Sequence, residues 1–215
     1  IPHVADKPDE LWLSIIQTFI MLGLSGIISF SIGIVLGVTL VITRAGGVAE
    51  NEIVSKALGG VINLFRSIPF VILLAALIPL SRLITGTAIG TTGAMVPLVF
   101  GTVPFFSRQV ETALSSVDKG LIEAAQSMGC SLFGIIFRVL LKESIPQLIR
   151  VSQITLVSLI GLTAMAGAIG GGGLGDFAIR YGHQRGQTDV TYVTILVIRL
   201  IVALIQYLGN VLIKK

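Results

Sequence analysis

Leu11 to Thr43 reads LWLSIIQTFIMLGLSGIISFSIGIVLGVTLVIT, an uncharged run between Glu10 and Arg44. As an α-helix it would be roughly 50 Å long. A hydrocarbon core of roughly 30 Å needs about 20 apolar residues. The run is too long for one level crossing and too short for two crossings joined by a turn. It therefore predicts one long, tilted helix that protrudes from a bilayer. Its glycines include Gly33 and Gly37, spaced by four, a small-residue face suited to close helix packing.

Composition agrees. Of the 215 residues, 53% are hydrophobic and only 12% are charged, against about 25% charged in an average soluble domain. So few charges cannot coat a soluble globule, and so apolar a chain is not disordered. The basic residues are scattered singly, which argues against a nucleic-acid partner. One cysteine, Cys130, excludes an internal disulfide and a cysteine-only metal site, and His3 and His183 offer no ligand spacing. What remains is an all-α integral membrane protein, expected as a single transmembrane domain over residues 1–215. The chain opens at Ile1 rather than methionine, so residues are expected to precede it. The run from Leu11 is too long for the apolar part of a signal peptide.

Four further spans follow. The second is expected over 67–81, extended back through Val61–Phe65, with Arg66 snorkelling at an interface and Pro69 in the first turns. The third has Thr85–Gly93 as a loop and Ala94–Phe106 as its core, with kinks expected at Pro97 and Pro104. The fourth covers Gln147–Ile169. The fifth covers Val190–Ile213, interrupted by Arg199. Five helices place the termini on opposite sides. Arg44, Lys56, Arg66, Arg108, Lys119, Arg138, Lys142, Arg150, Lys214 and Lys215 fall on one side; Lys7, Arg82, Arg180 and Arg185 fall on the other. The positive-inside rule then puts the N-terminus outside and both Val110–Pro146 and the C-terminus in the cytoplasm.

Val110–Pro146, between spans three and four, is far longer than an ordinary interhelical connection, and it carries helix signals. Asp118 is an N-cap for a helix whose apolar stripe is Leu121, Ile122, Ala125 and Met128. Gly129 suits the left-handed position that ends a helix. Ser131 caps a second helix, Leu132–Leu141, and Pro146 closes the segment. The first helix has an apolar face that needs a partner: the membrane surface, the chain's own spans, or another protein. Membrane-surface helices carry cations and bulky apolar groups. Glu123, Ala124 and Ala125 suit a protein groove better.

Glu123-Ala124-Ala125, three residues, then Gly129 resembles the cytoplasmic signature loop of bacterial ATP-binding-cassette importer permeases, E-A-A-x3-G-x9-I-x-L-P. Val139, Leu141 and Lys142 stand at the later positions. Lys142 departs from the proline, and Pro146 follows four residues on. Asn63-Leu64-Phe65-Arg66-Ser67-Ile68-Pro69-Phe70 is similar to the entry of the second span in permeases of the methionine uptake family. Gly120-Leu121-Ile122-Glu123-Ala124 also fits that family, as do Gly170–Asp176 and Arg180-Tyr181-Gly182. The resemblance covers nearly the whole chain. It implies a transport subunit, not an enzyme, in a bacterial inner membrane. It further implies a homodimer, two ATP-binding-cassette ATPase subunits and an extracytoplasmic methionine-binding protein. ATP and magnesium would belong to the ATPase, leaving no cofactor in this chain. Glu123, Ala124, Ala125, Met128 and Gly129 would form the coupling element that sits in a cleft of the ATPase.

Three further patterns have plain structural readings beside the functional ones. Gly170, Gly172 and Gly175 match G-x-G-x-x-G. They follow a membrane span rather than a strand, so a flexible outer turn is expected, not a nucleotide site. No P-loop occurs. Arg199, near mid-membrane, either serves the pathway or bonds backbone within protein or a wet cleft. Ser152, Thr155, Ser158, Gly161 and Met165 fall at spacings of three and four. They form either a packing seam or a pathway wall of hydroxyls and one polarisable thioether. A stand-alone secondary carrier is the competing class, but such carriers have repeated halves and broken mid-membrane helices; no repeat is visible here.

Overall fold

The computed structural model describes residues 2–213; Ile1, Lys214 and Lys215 lie outside the described residues, so the cytoplasmic assignment of the last two is not addressed. The helices are α1 (Pro2–Ala5), α2 (Pro8–Thr43), α3 (Glu52–Ser67), α4 (Phe70–Ala76), α5 (Ile78–Thr85), α6 (Gly90–Ser115) and α7 (Lys119–Ser127). Then come α8 (132–143), α9 (Ile145–Ala166), α10 (173–183) and α11 (Thr188–Ile213). Among the described residues there is no strand.

The opening run is one helix, as its length requires. Helix α2, the segment Ile145–Gly171 and α11 are each long and apolar enough to cross a membrane alone. Two bent pairs complete five spans: α3 with α4, meeting at 101°, and α5 with α6, meeting at 118°. The first bend has a local cause. Ile68, before Pro69, is held extended at φ −85° and ψ 123°, because the pyrrolidine ring disfavours a helical predecessor. Pro69 then caps α4. The second span is therefore broken rather than continuous, and the long helix of the third span begins at Gly90, earlier than expected. Pro97 and Pro104 lie buried inside α6, which continues uninterrupted past both.

The core forms where α2 crosses α6. A Cβ on Gly33 would lie 2.6 Å from the ring of Phe106, and one on Gly37 would lie 2.6 Å from Val110 and 2.8 Å from the Ser107 carbonyl. The pair spaced by four is thus the surface that lets the two backbones approach. Three hydroxyls of α2 are satisfied without solvent, Thr18 donating to the Ser14 carbonyl, Ser25 to Met21 and Thr43 to Thr39, whereas that of the fully buried Ser29 has no partner. Such back-bonding suits a polar group in hydrocarbon. Arg108 ties α6 to α3 by donating to the Gly59 carbonyl and the Asn63 side chain, both at 3.1 Å, while it pairs with Glu111 at 2.6 Å.

The two ends of the bundle differ as the basic residues suggested. At one end Lys7, Arg180 and Arg185 gather over the Tyr181 ring, at 5.1, 5.8 and 4.7 Å. The Glu10 carboxylate, accepting from its phenol, holds Tyr181 above the ordinary tyrosine range. At the other end Arg44 donates to Ser115 at 2.5 Å, beside the α6–α7 connection.

Candidate functional site

The connection between α6 and α9 folds into two helical pieces, and its caps are those the residues dictate. Asp118 accepts from Gly120 N–H at 2.7 Å, and Ser131 accepts from Gly134 N–H at 3.3 Å. Gly129 stands between them at φ +75°, a conformation that costs a residue with a Cβ roughly 1–2 kcal/mol. The second piece is wound partly as a π-helix over Ile135–Leu140 and ends at Ser144, so Pro146 opens α9 rather than ending the loop helix.

The apolar stripe of α7 does not stay together. Ala125, only 3% exposed, is buried in a cluster with Val38, Val110, Leu114, Ile135 and Leu140, and Ile122 packs beside it. Of the three partners expected for this face, the chain's own helices therefore take this half of the stripe. The other half faces out. Leu121 is 47% exposed and Met128 76%, with Ala124 and Glu123 also exposed. Leu121, Ala124 and Met128, spaced by three and four, share one helical face. Exposed Leu132 and Phe133 continue it onto α8. Sequence reasoning missed those two, although Leu132 and Phe133 are apolar residues directly after the Ser131 cap. The Glu123 side chain pairs with no described residue, so its charge is free for an outside group.

The candidate pathway stripe also divides. Thr155 is fully buried and donates to the Val151 carbonyl at 2.8 Å. Ser152 is half-buried, whereas Ser158, Gly161 and Met165 are exposed on one face of α9. Behind Ser158 a cavity of about 120 Å³ opens between α6 and α9, lined by Gly101, Thr102, Phe105 and Leu162. Thr102 is 2% exposed, and its hydroxyl oxygen has no hydrogen-bond partner. An unpaired buried hydroxyl costs roughly 1–3 kcal/mol, so it marks a place where a polar guest is welcome. Nothing in a lone threonine of α6 announced this. Arg199 is exposed on α11, bonded to no described residue. An arginine in mid-membrane costs at least about 2.5–3.5 kcal/mol in hydrocarbon, a cost that contact with protein or a wet cleft would relieve.

The glycine turn is tight rather than loose. A Cβ on Gly175 would meet the Ala164 carbonyl at 2.3 Å, and one on Gly167 would meet Asp176 N at 2.5 Å. Gln17 and Thr18 of α2 accept from Gly173 and Leu174 N–H groups, at 2.8 and 2.9 Å. These side chains satisfy the free donors that open α10. The glycines serve backbone packing, and no strand precedes them.

The model of the family described as "Binding-protein-dependent transport system inner membrane component" matches residues 30–215. The chain belongs to that family, and its fold is that of an ATP-binding-cassette importer permease. The "Probable D-methionine transport system permease protein MetI" of Vibrio cholerae is 47% identical over 93% of this chain and 88% of the relative. The "Methionine import system permease protein MetP" of Bacillus subtilis is 46% identical over 80% of this chain and 78% of the relative. A structure described as "Inward facing conformations of the MetNI methionine ABC transporter" superposes with a TM-score of 0.93 at 39% identity, covering 97% of each chain.

Proposed function

We propose that this chain is the membrane-spanning permease subunit of an ATP-driven methionine importer in a bacterial inner membrane. The observation that carries the proposal is its near full-length similarity to methionine permeases, 47% identical in the Vibrio cholerae case. Membership of a binding-protein-dependent family favours this class over a stand-alone carrier. The whole chain works as one domain. Two copies pair about a two-fold axis, since five helices hardly enclose and also seal a path. The N-terminus lies outside and the C-terminus in the cytoplasm, supported by the charge asymmetry between the two sides.

Two ATPase subunits, carrying ATP and magnesium, dock on the two loops through Glu123, Ala124, Met128 and the exposed side of α8. Ala125 and Gly129 hold that surface in place from behind. A binding protein outside delivers methionine. Ser158, Met165 and Arg199 line the path, and Thr155 supports the wall without touching solute. ATP draws the ATPase subunits together, the coupling helices follow, and the spans tip between inward-open and outward-open states. Each ligand shifts that equilibrium only by its preference for one state. The test is uptake of labelled methionine, against other labelled amino acids, by the reconstituted complex. Methionine accumulation that needs ATP supports the proposal; equal uptake of unrelated amino acids would remove methionine from it.

A further inference from the structure

The exposed surface of α11 carries two different chemistries. Leu200, Leu204, Leu208 and Leu212 recur every four residues and are all more than half exposed. Arg199, Ala203, Gln206 and Asn210 recur at spacings of four, three and four, are also exposed, and form a separate stripe. One arc suits lipid. The other sets a guanidinium and two primary amides along a membrane span, where hydrocarbon would leave all three without partners.

Gln206 and Asn210, at one end of the polar stripe, line an open cavity of about 780 Å³ between α9 and α11, together with Arg150, Gln153 and the apolar Ile154, Val157 and Ile213. The site is locally built. Gln153 donates to the Gln206 carbonyl at 2.8 Å. Gly209 gives it room to lie between the helices, since a Cβ there would meet the Gln153 side chain at 2.2 Å. The charge is of one sign. Arg150 is the charged residue of α9, and the acid of α11, Asp189, bonds His3 at the far end. Neither arginine is paired with a described residue.

We infer that this cavity and the Arg199–Asn210 stripe form the water-filled inner stretch of the solute path, where Arg199 and then Arg150 meet the carboxylate of a zwitterionic amino acid. The volume falls in the range of roughly 300–1,000 Å³ typical of small-molecule clefts. The amides at Gln153, Gln206 and Asn210 supply hydrogen bonds but no fixed charge. The carboxylate is therefore handed between two cations across neutral ground, which favours passage over capture. This inference rests on the importer reading for the direction of transport.

The test uses the assembled complex in inside-out vesicles, with Cys130→Ser as background. Gln206→Cys and Asn210→Cys are compared with Leu204→Cys and Leu208→Cys for reaction with a charged, impermeant thiosulfonate. The inference predicts that the polar-stripe cysteines react at least fivefold faster than the leucine-ladder cysteines. A smaller ratio overturns it, and places that face against lipid or a second copy of the chain. In a parallel arm, Arg199→Gln should lower uptake at least tenfold, and Arg199→Lys should restore at least half of it. A smaller loss, or no rescue, removes the arginine's role with the carboxylate. The labelling pattern needs no substrate. A complex that shows the pattern but moves no methionine breaks the importer reading alone. Normal uptake without the pattern breaks this inference alone.

Discussion

The glycine turn between α9 and α11 and the loop between α6 and α9 are both short-helix connections between spans, yet they finish their surfaces in opposite ways. In the turn, α2 supplies acceptors for the first free donors of α10, and glycines bring backbones into contact. Leu174 and Phe177 are each 1% exposed. In the loop, α7 buries Ala125 and leaves Leu121 and Met128 outside. The first region is complete within one chain. The second is half buried, and its open half is the surface proposed above for docking the ATPase. Self-packing and docking are thus divided between the two faces of a nine-residue helix.

The sharpest way to break this comparison is to crowd the closed region. Gly175→Ala drives a Cβ toward the Ala164 carbonyl, and overpacking of this kind costs about 3 kcal/mol. Thermal unfolding in detergent should fall by roughly 6–12 °C, with poor yield. An unchanged midpoint would mean the turn is not close-packed. Next in size, Thr18→Val removes the acceptor for Leu174 N–H, at about 1–2 kcal/mol; Thr18→Ser should recover most of the loss in the same melt. In the open region the order of effects reverses. Met128→Ala should change the stability by no more than about 0.5 kcal/mol, as expected at a solvent-exposed site, yet weaken retention of the ATPase on a tagged permease. A large stability loss with normal retention would show that Met128 packs within the chain.

Sidedness gives the smallest perturbation. Cys130 is exposed just beyond α7. In right-side-out vesicles an impermeant thiol reagent should leave it unlabelled until the membrane is opened. Prompt labelling from outside would invert the topology of both regions.

The sequence made the long spans legible because an uncharged run of fixed length has few fates in a bilayer. The caps at Asp118, Gly129 and Ser131 were equally legible, since each depends on one residue's own hydrogen bonding or φ preference. The break at Pro69 was not, because a proline in a first turn and a proline at a sharp bend look alike until the neighbouring helices are packed. The split of Leu121, Ile122, Ala125 and Met128 between two faces was hidden for a similar reason. All four residues fall on one broad arc, and only the position of α8 decides which of them it covers. Thr155 and Ser158 repeat the lesson in α9: spacing put them on one stripe, and contact with α6 buried one and freed the other. The apparent dinucleotide fingerprint misled only in expecting mobility. Two of its glycines answer to steric demands, Gly175 from Ala164 and Gly172 from Gln17, residues that no local pattern brings together.

The central claim is that the cytoplasmic loop, folded by its own residues, couples this permease to its ATPase. Glu123→Lys reverses an exposed charge midway along α7 that pairs with no described residue. Gly129→Val puts a branched side chain at φ +75°, with no atom within 4 Å to clash, so its effect is on the course of the backbone into α8. The decisive measurement is co-purification of the ATPase together with methionine uptake for each variant, in a complex whose spans remain inserted and dimeric. The account predicts a lost or uncoupled ATPase, with uptake reduced at least tenfold in both. Full co-purification with full uptake in both variants would contradict it.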